Sequence, residues 1–380
     1  MAVVGVSVRP TCGVRDHGTL LAEELTREGL ACSLHWLTRE QLRLRPARAE
    51  MRAWARALEA ELAQLRPEAA VLHYSAFSYS HRGVPVFLHR VLGALAQART
   101  PVLSIMHELA YPWGRSGWRG VLWGSTQRAC LVELVRASGA VLVTADFQAR
   151  WLQSRAWLPR RPLLVAPVYS NLPPPREQAV RGEGSRVLGV FGYAYQGAAM
   201  ALVLDALEQL VRGGSDVRLA LLGAPGRESA AAEGLARAAR ARGVAERVSF
   251  AGPLPAQELS DALARCDALV FSDQAGPSAR KGTLAGALAS GAPVVALDGP
   301  RTWPELRAAA ALALVPPSAG ALAAEVARLL DDEPRRRALG ARGRAFAEAR
   351  MGLAQTAHAV LELLEQMRHA RPERVAPARA

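Results

Sequence analysis

The run Asp267-Ala-Leu-Val-Phe271, Ser272-Asp-Gln-Ala-Gly-Pro-Ser-Ala-Arg-Lys-Gly282, Thr283-Leu-Ala-Gly-Ala-Leu-Ala-Ser290 and Pro293-Val-Val-Ala-Leu297 decides the fold. Its two ends are short, continuous apolar segments of the kind a parallel sheet buries on both faces. The Gly/Pro-containing loop between them carries Arg280 and Lys281 onto the first turn of a short helix, expected from Gly282 to about Ser290. A helix start exposes unpaired N–H groups and a partial positive charge, and so suits a phosphate. Lys281 is also the single lysine of the chain, every other strongly basic side chain being arginine.

The same strand–helix rhythm runs outward in both directions. Downstream, helices are expected over 321–330, 333–349 and 353–369. Upstream, strands at 187–192, 217–223 and 248–251 alternate with helices at 198–212, 228–242 and 257–265. The first half repeats the pattern, with strands at 2–8, 30–36, 69–74, 101–106 and 140–144. Helices are expected there at 18–28, 49–65, 86–98 and 124–138, and a last strand falls between 160 and 168. Alternating strands and helices imply parallel sheets covered on both faces, with ligands collecting at the carboxyl ends of the strands. The Pro173-Pro-Pro175 run and the polar stretch to Ser185 mark a boundary between two such halves. The expected organisation is 1–175, 176–351, a terminal helix 352–369 that returns to the first half, and a Pro/Arg/Ala-rich tail 370–380. Two units facing a shared cleft are the corresponding expectation.

Composition limits the function classes. The chain has 380 residues, half of them hydrophobic and 21% charged, with a net charge of +13. Such a charge favours acidic ligands, but the basic residues are dispersed and lack a nucleic-acid-binding motif, so nucleic acid is not expected. The four cysteines lie far apart without metal-ligand spacing, and no stretch is apolar enough to span a bilayer. A cytoplasmic location is expected.

The strand exits hold the chemistry-bearing side chains. Gly13, Asp16 and His17 follow the first strand, His73, Tyr74 and His81 the third, and His107 and Glu108 the fourth. His107 is the best placed for a catalytic role, because it ends a hydrophobic strand and opens a long loop; Glu108 is expected to hold that loop together. The segment from Trp113 to Trp123 joins three tryptophans with Arg115 and Arg119, a mixture suited to a lipid headgroup boundary. Peripheral membrane contact there and packing of the tryptophans on their own domain are both open.

The second half resembles the donor domain of GT-B glycosyltransferases, in particular the retaining family four. The matching residues are Phe191-Gly-Tyr, Leu221-Leu-Gly, Arg247-Val-Ser-Phe-Ala-Gly-Pro-Leu, Cys266-Asp-Ala-Leu-Val-Phe271 and Ala287-Leu-Ala-Ser-Gly-Ala-Pro-Val-Val295. The first half is similar to that family's acceptor domain. The resemblance implies an α/β fold of two Rossmann-like domains and sugar transfer from a nucleoside-diphosphate sugar to an acceptor hydroxyl in polysaccharide or glycolipid assembly. It implies no cofactor, and the lack of an Asp-x-Asp pair implies no metal. It assigns the donor to Gly13, Gly192, Tyr193, Arg280, Lys281, Gly282 and Thr283, a catalytic role to His107, and acceptor or cleft contacts to Asp16, His73, Tyr74 and Glu108. One departure stands out. The two glutamates usual in that family fall on Ser278 and Gly286, and its usual lysine on Gln196. A non-catalytic scaffold protein and a sugar-nucleotide epimerase are the alternatives.

Overall fold

Both halves fold around six-stranded parallel sheets. The computed structural model describes residues 1–9, 11–176, 186–192, 198–223 and 226–370. The first half holds strands β1 (Ala2–Ser7), β2 (Ser33–Thr38), β3 (Ala70–Tyr74), β4 (Val102–Met106), β5 (Ser138–Val143) and β6 (Leu163–Val165). Its helices are α1 (Gly13–Arg27), α2 (Leu44–Leu65), α3 (Leu88–Gln97), α4 (Gly117–Ala137) and α5 (Asp146–Gln153). The second half holds β7 (Arg186–Phe191), β8 (Val217–Leu222), β9 (Val248–Gly252), β10 (Ala268–Phe271), β11 (Val294–Leu297) and β12 (Ala313–Val315). Its helices are α6 (Ala198–Arg212), α7 (Ala230–Ala241), α8 (Ala256–Ala264), α9 (Gly282–Ala289), α10 (Pro304–Ala308), α11 (Ala319–Asp331) and α12 (Glu333–Arg350), and α13 (Leu353–His369) is the last helix among the described residues.

The first sheet has the order β2-β1-β3-β4-β5-β6, and the second β12-β11-β10-β7-β8-β9. In each, the chain leaves its first strand to one side and later returns to the other. The order therefore reverses between β1 and β3 in the first sheet, and between β7 and β10 in the second. Such reversals leave a crevice at the strand carboxyl ends, where open α/β sheets bind ligands.

Strand alternation divides the first core into two layers. Val4, Val6, Leu72 and Tyr74 face one side, with Met51, Leu58, Leu88, Leu95 and Leu131 from α2, α3 and α4. Val3, Val71, Leu103 and Ile105 face the other, against Leu21 and Leu25 of α1 and Val360 and Leu363 of α13. The terminal helix thus completes the cover of the first sheet, and the chain divides into compact units of 1–167 with 353–380, and 168–352.

The division falls before the triple proline rather than after it. Residues 168–176 run against the second unit: the Val168 N–H donates to the Ala279 carbonyl (2.8 Å) and Ser260 Oγ donates to the Pro173 carbonyl (2.6 Å). The Arg176 backbone N–H and guanidinium both donate to Asp261 (2.9 and 2.7 Å). Prolines lack N–H groups but keep their carbonyls, so a proline run can be fastened from one side.

Several elements differ from expectation. Helix α1 begins at Gly13, five residues before the expected start at 18, because the Cys12 carbonyl accepts the Asp16 N–H (3.0 Å) and starts the first turn. Helix α4 begins at Gly117 and takes up Trp118 and Trp123. Helices α5 and α10 and strand β12 are additional to the expected elements.

Candidate functional site

In the second unit the switch point is built from the exit of β7 and the β10–α9 loop. Gly192 has φ 137°, a backbone conformation that favours glycine, and a Cβ there would sit 3.4 Å from Thr283 Cγ2. The β7 exit and the first turn of α9 therefore abut. Lys281 is the N-cap residue of α9 and caps nothing with its side chain. The Leu284 and Ala285 N–H groups donate to the Lys281 carbonyl (3.0 and 3.1 Å). The Gly282 and Thr283 N–H groups, at the first two helical positions, have no place in that ladder and remain available to an external acceptor.

The loop is held on both sides. The Arg301 N–H donates to the Ala275 carbonyl (2.7 Å) and the Trp303 N–H to the Pro277 carbonyl (2.8 Å). Lys281 Nζ pairs with Asp273 Oδ2 at 2.8 Å, both side chains about a third exposed. Burial pushes the Asp273 carboxyl up, but the Lys281 hydrogen bond and charge, the Ala275 amide and the Arg280 charge together hold it below the ordinary carboxylate range. Arg280 Nε is buried without a hydrogen-bond partner. The expected donor residues Gly192, Arg280, Lys281, Gly282 and Thr283 thus share one end of one sheet; Tyr193 and Gln196 lie outside the described residues. Sequence reasoning missed Asp273, the carboxylate that occupies Lys281.

The position expected to have lost a glutamate is closely lined on one side. A Cβ on Gly286 would meet Phe191 Cε1 at 3.0 Å, Leu172 Cδ1 at 3.5 Å and Ser170 Oγ at 3.6 Å. Ser278 is buried.

In the first unit the switch point gathers three imidazoles. His17 lies one turn into α1, His73 sits in the last turn of pleat of β3, and His107 follows β4. The ring centroids of His17 lie 5.4 Å from His73 and 4.9 Å from His107. His73 Nδ1 and His107 Nε2 are 3.1 Å apart. The backbone fixes these placements: Tyr79 Oη donates to the His73 carbonyl (2.9 Å), and the His107 N–H to the Tyr74 carbonyl (2.9 Å). His17 and His73 are buried and His107 is half-buried. Burial drives His107 down to about 4 and, with the charges of their fellow imidazoles, holds His17 and His73 well below the usual histidine range. All three are neutral at pH 7.

The remaining candidates separate. Tyr74 points away from His73 by strand alternation and is fully buried in the core, so its expected cleft role is corrected to packing. Asp16 is exposed, its carboxyl raised by partial burial and lowered by Arg15. Gly13 is the first residue of α1. Glu108 accepts from Ser75 Oγ (3.0 Å), joining two exit loops. His81 stays outside the cluster in a bridge with Val84.

Two six-stranded parallel α/β sheets in two Rossmann-like units make up the architecture of GT-B glycosyltransferase structures. Residues 185–332 match the family model "Glycosyl transferases group 1". The chain superposes on the sucrose-phosphate synthase of Thermosynechococcus elongatus with TM-score 0.74 at 16% identity, covering 98% of this chain and 100% of that one. For HepE of Anabaena in complex with UDP and glucose the values are 0.66 and 16%, over 96% and 100%. For WaaG, a glycosyltransferase involved in lipopolysaccharide biosynthesis, they are 0.65 and 13%, over 95% and 99%. No curated protein matches the sequence significantly.

Proposed function

We propose that the chain transfers a sugar from a nucleoside-diphosphate sugar to an acceptor hydroxyl. The observation that carries the reading is the open N-terminus of α9 at the second switch point, with Arg280, Lys281 and Gly192 around it. It is supported by the match of residues 185–332 to a glycosyltransferase family. In this reading Arg280 and Lys281 take the diphosphate, the Gly282 and Thr283 amides and the Thr283 hydroxyl complete its cradle, and Gly192 allows close approach of backbone. As the anomeric C–O bond breaks, negative charge grows on the leaving diphosphate, and charge-assisted hydrogen bonds already in place stabilise it. Lys281 must exchange Asp273 for phosphate, and Asp273 keeps it aimed until then. No metal is needed at the diphosphate, because the cationic side chains and amides carry that charge.

The first unit supplies the acceptor side. His107, held neutral, acts there by hydrogen bonding rather than as a cation, and positions the donor sugar or the acceptor hydroxyl. The resemblance to retaining enzymes favours retention at the anomeric carbon, which the coupling constants of the product's anomeric proton would read. Gly13 is assigned to the donor, and Asp16 and Glu108 to acceptor or cleft contacts. Release of nucleoside diphosphate from UDP-, GDP- or dTDP-sugars, with and without acceptor, tests the proposal.

One observation favours a second reading, a fold retained as a binding subunit. Phe191, Leu172 and Ser170 line the Cβ position at Gly286, Phe191 closely enough that a side chain there requires it to shift. Tight binding of a nucleotide sugar with no turnover would support it, and conversion of the donor sugar without acceptor would indicate an epimerase.

We also propose peripheral membrane contact through the start of α4. Trp113 is 58% and Trp118 73% exposed, Val121 and Leu122 are exposed beside them, and Arg115 and Arg119 flank the patch. Trp123 instead packs edge-on to Tyr111 (5.3 Å) and Phe77 (6.2 Å). Among the described residues no helix is long and apolar enough to cross a membrane.

A further inference from the structure

We propose that His17, His73 and His107 form a binding site for one divalent first-row transition ion, with Zn²⁺ the best fit. Each imidazole offers one ring nitrogen, and the three nitrogens lie within 4.8 Å of one another. The inference does not depend on the transfer reaction, and is read without any sugar.

Four features point the same way. The donor set is three nitrogens from three neighbouring segments: α1 after β1, the end of β3, and the exit of β4. β1, β3 and β4 are adjacent in the sheet, so their exits converge at the switch point. Tetrahedral Zn²⁺ with Zn–N near 2.0–2.1 Å sets its ligand nitrogens about 3.3 Å apart. His73 Nδ1 and His107 Nε2 are already 3.1 Å apart, and the third nitrogen, within 4.8 Å of the others, would have to close the rest by ring rotation.

The second feature is how little the rings can do for one another: the N–H···N contact between His73 and His107 uses one nitrogen of each ring and leaves the other over. Third, His73 is 1% exposed and its Nε2 has no hydrogen-bond partner; the nearby Trp36 Nε1, also buried, has none either. Among the described residues the His73 ring thus hydrogen-bonds to His107 alone, through the same Nδ1 that would ligate the ion.

Fourth, the set leaves a way in. His107 is half-buried while the other two are enclosed, so an ion held by three imidazoles has its fourth position on the open side. Three protein ligands with one free position are typical of zinc that binds an outside molecule rather than of closed structural zinc. Imidazole also suits copper and nickel, and the affinity order places them near zinc. When the ion enters, the proton between His73 and His107 moves to an outer ring nitrogen, so neutral imidazoles bind without a net charge change on the protein.

The test uses tag-free, full-length protein stripped with a chelator and then titrated with Zn²⁺ against a chromophoric competitor. Elemental analysis of protein dialysed at limiting metal gives the stoichiometry. One ion per chain is expected, with the Co²⁺-loaded protein showing the intense visible bands of a tetrahedral site. Saturating Zn²⁺ should raise Tm by roughly 5–10 °C at about a hundredfold excess over Kd. His73→Asn and His107→Gln should each weaken binding by about a hundredfold or more. His107 is the less enclosed residue, so His107→Gln, with an unchanged metal-free Tm, keeps the test valid if His73→Asn fails to fold. Stoichiometry well below one, octahedral-type weak Co²⁺ bands, or unaltered binding by His107→Gln would overturn the proposal.

Discussion

Replacing Lys281 with methionine separates binding from stability. The Lys281–Asp273 pair is about a third exposed on each side, and exposed ion pairs contribute about 0–1 kcal/mol. The loop does not rely on it, since the Ala275 and Pro277 carbonyls are also held by backbone donors. Loss of the pair should therefore lower stability by less than about 1 kcal/mol, or about 2–4 °C in Tm for a unit of this size. A charge-assisted hydrogen bond to phosphate contributes about 1.5–3 kcal/mol. At about 1.4 kcal/mol per tenfold, Lys281→Met should weaken nucleoside-diphosphate binding by about ten- to a hundredfold. Asp273→Asn frees the lysine without removing it, so binding should be unchanged or tighter. Calorimetric titration with UDP, GDP and dTDP, alongside thermal unfolding, reads both quantities. Binding by Lys281→Met within twofold of wild type, with the fold intact, would refute the assignment of the diphosphate to α9.

Three further outcomes are expected. Gly286→Glu forces a carboxylate against Phe191 and Leu172 and should cost about 1–3 kcal/mol from overpacking alone; a Tm equal to wild type would mean that the space is open. The Asp261 carboxyl is held at about 2, first by the Arg176 backbone N–H, against burial, and then by the Arg176 and Gln257 side chains. Its folded value lies below the unfolded one, so the stability it contributes is present above about pH 4 and lost as pH falls towards 2. Denaturant unfolding should show Asp261→Asn weaker than wild type at pH 6 and the gap closing by pH 2.5, whereas a gap that widens in acid contradicts the pairing. Combined Trp118→Ala and Arg119→Ala should reduce co-sedimentation with anionic vesicles severalfold, and unchanged sedimentation removes the membrane contact.

The sheets were legible because buried parallel strands are continuous apolar runs, and β10, α9 and β11 carry that signal with little ambiguity. Boundaries failed where polar or glycine residues start helices. Gly13-Val-Arg-Asp16 reads as a loop, yet its backbone closes the first turn of α1. Trp118 and Trp123 read as part of a surface loop, yet they lie on α4. β12 is three residues long and too brief for a periodic signal. At the candidate sites, the cationic pair on α9 was legible as chemistry, but its carboxylate partner Asp273 lies eight residues back and is found only in three dimensions. The histidines were visible as residents of strand exits. Their convergence follows from β1, β3 and β4 being neighbours, an order that no local pattern encodes. Applying the switch-point rule to His17, His73 and His107 together was the signal that could have found it.

The most direct test of the proposed activity is incubation of purified full-length protein with a panel of UDP-, GDP- and dTDP-sugars and candidate acceptors, following nucleoside diphosphate release and product mass. The account predicts acceptor-dependent release from at least one donor, with a glycosylated product and at least tenfold loss of rate in Lys281→Met. Tight donor binding without acceptor-dependent release from any of them, or release indifferent to Lys281, would contradict it.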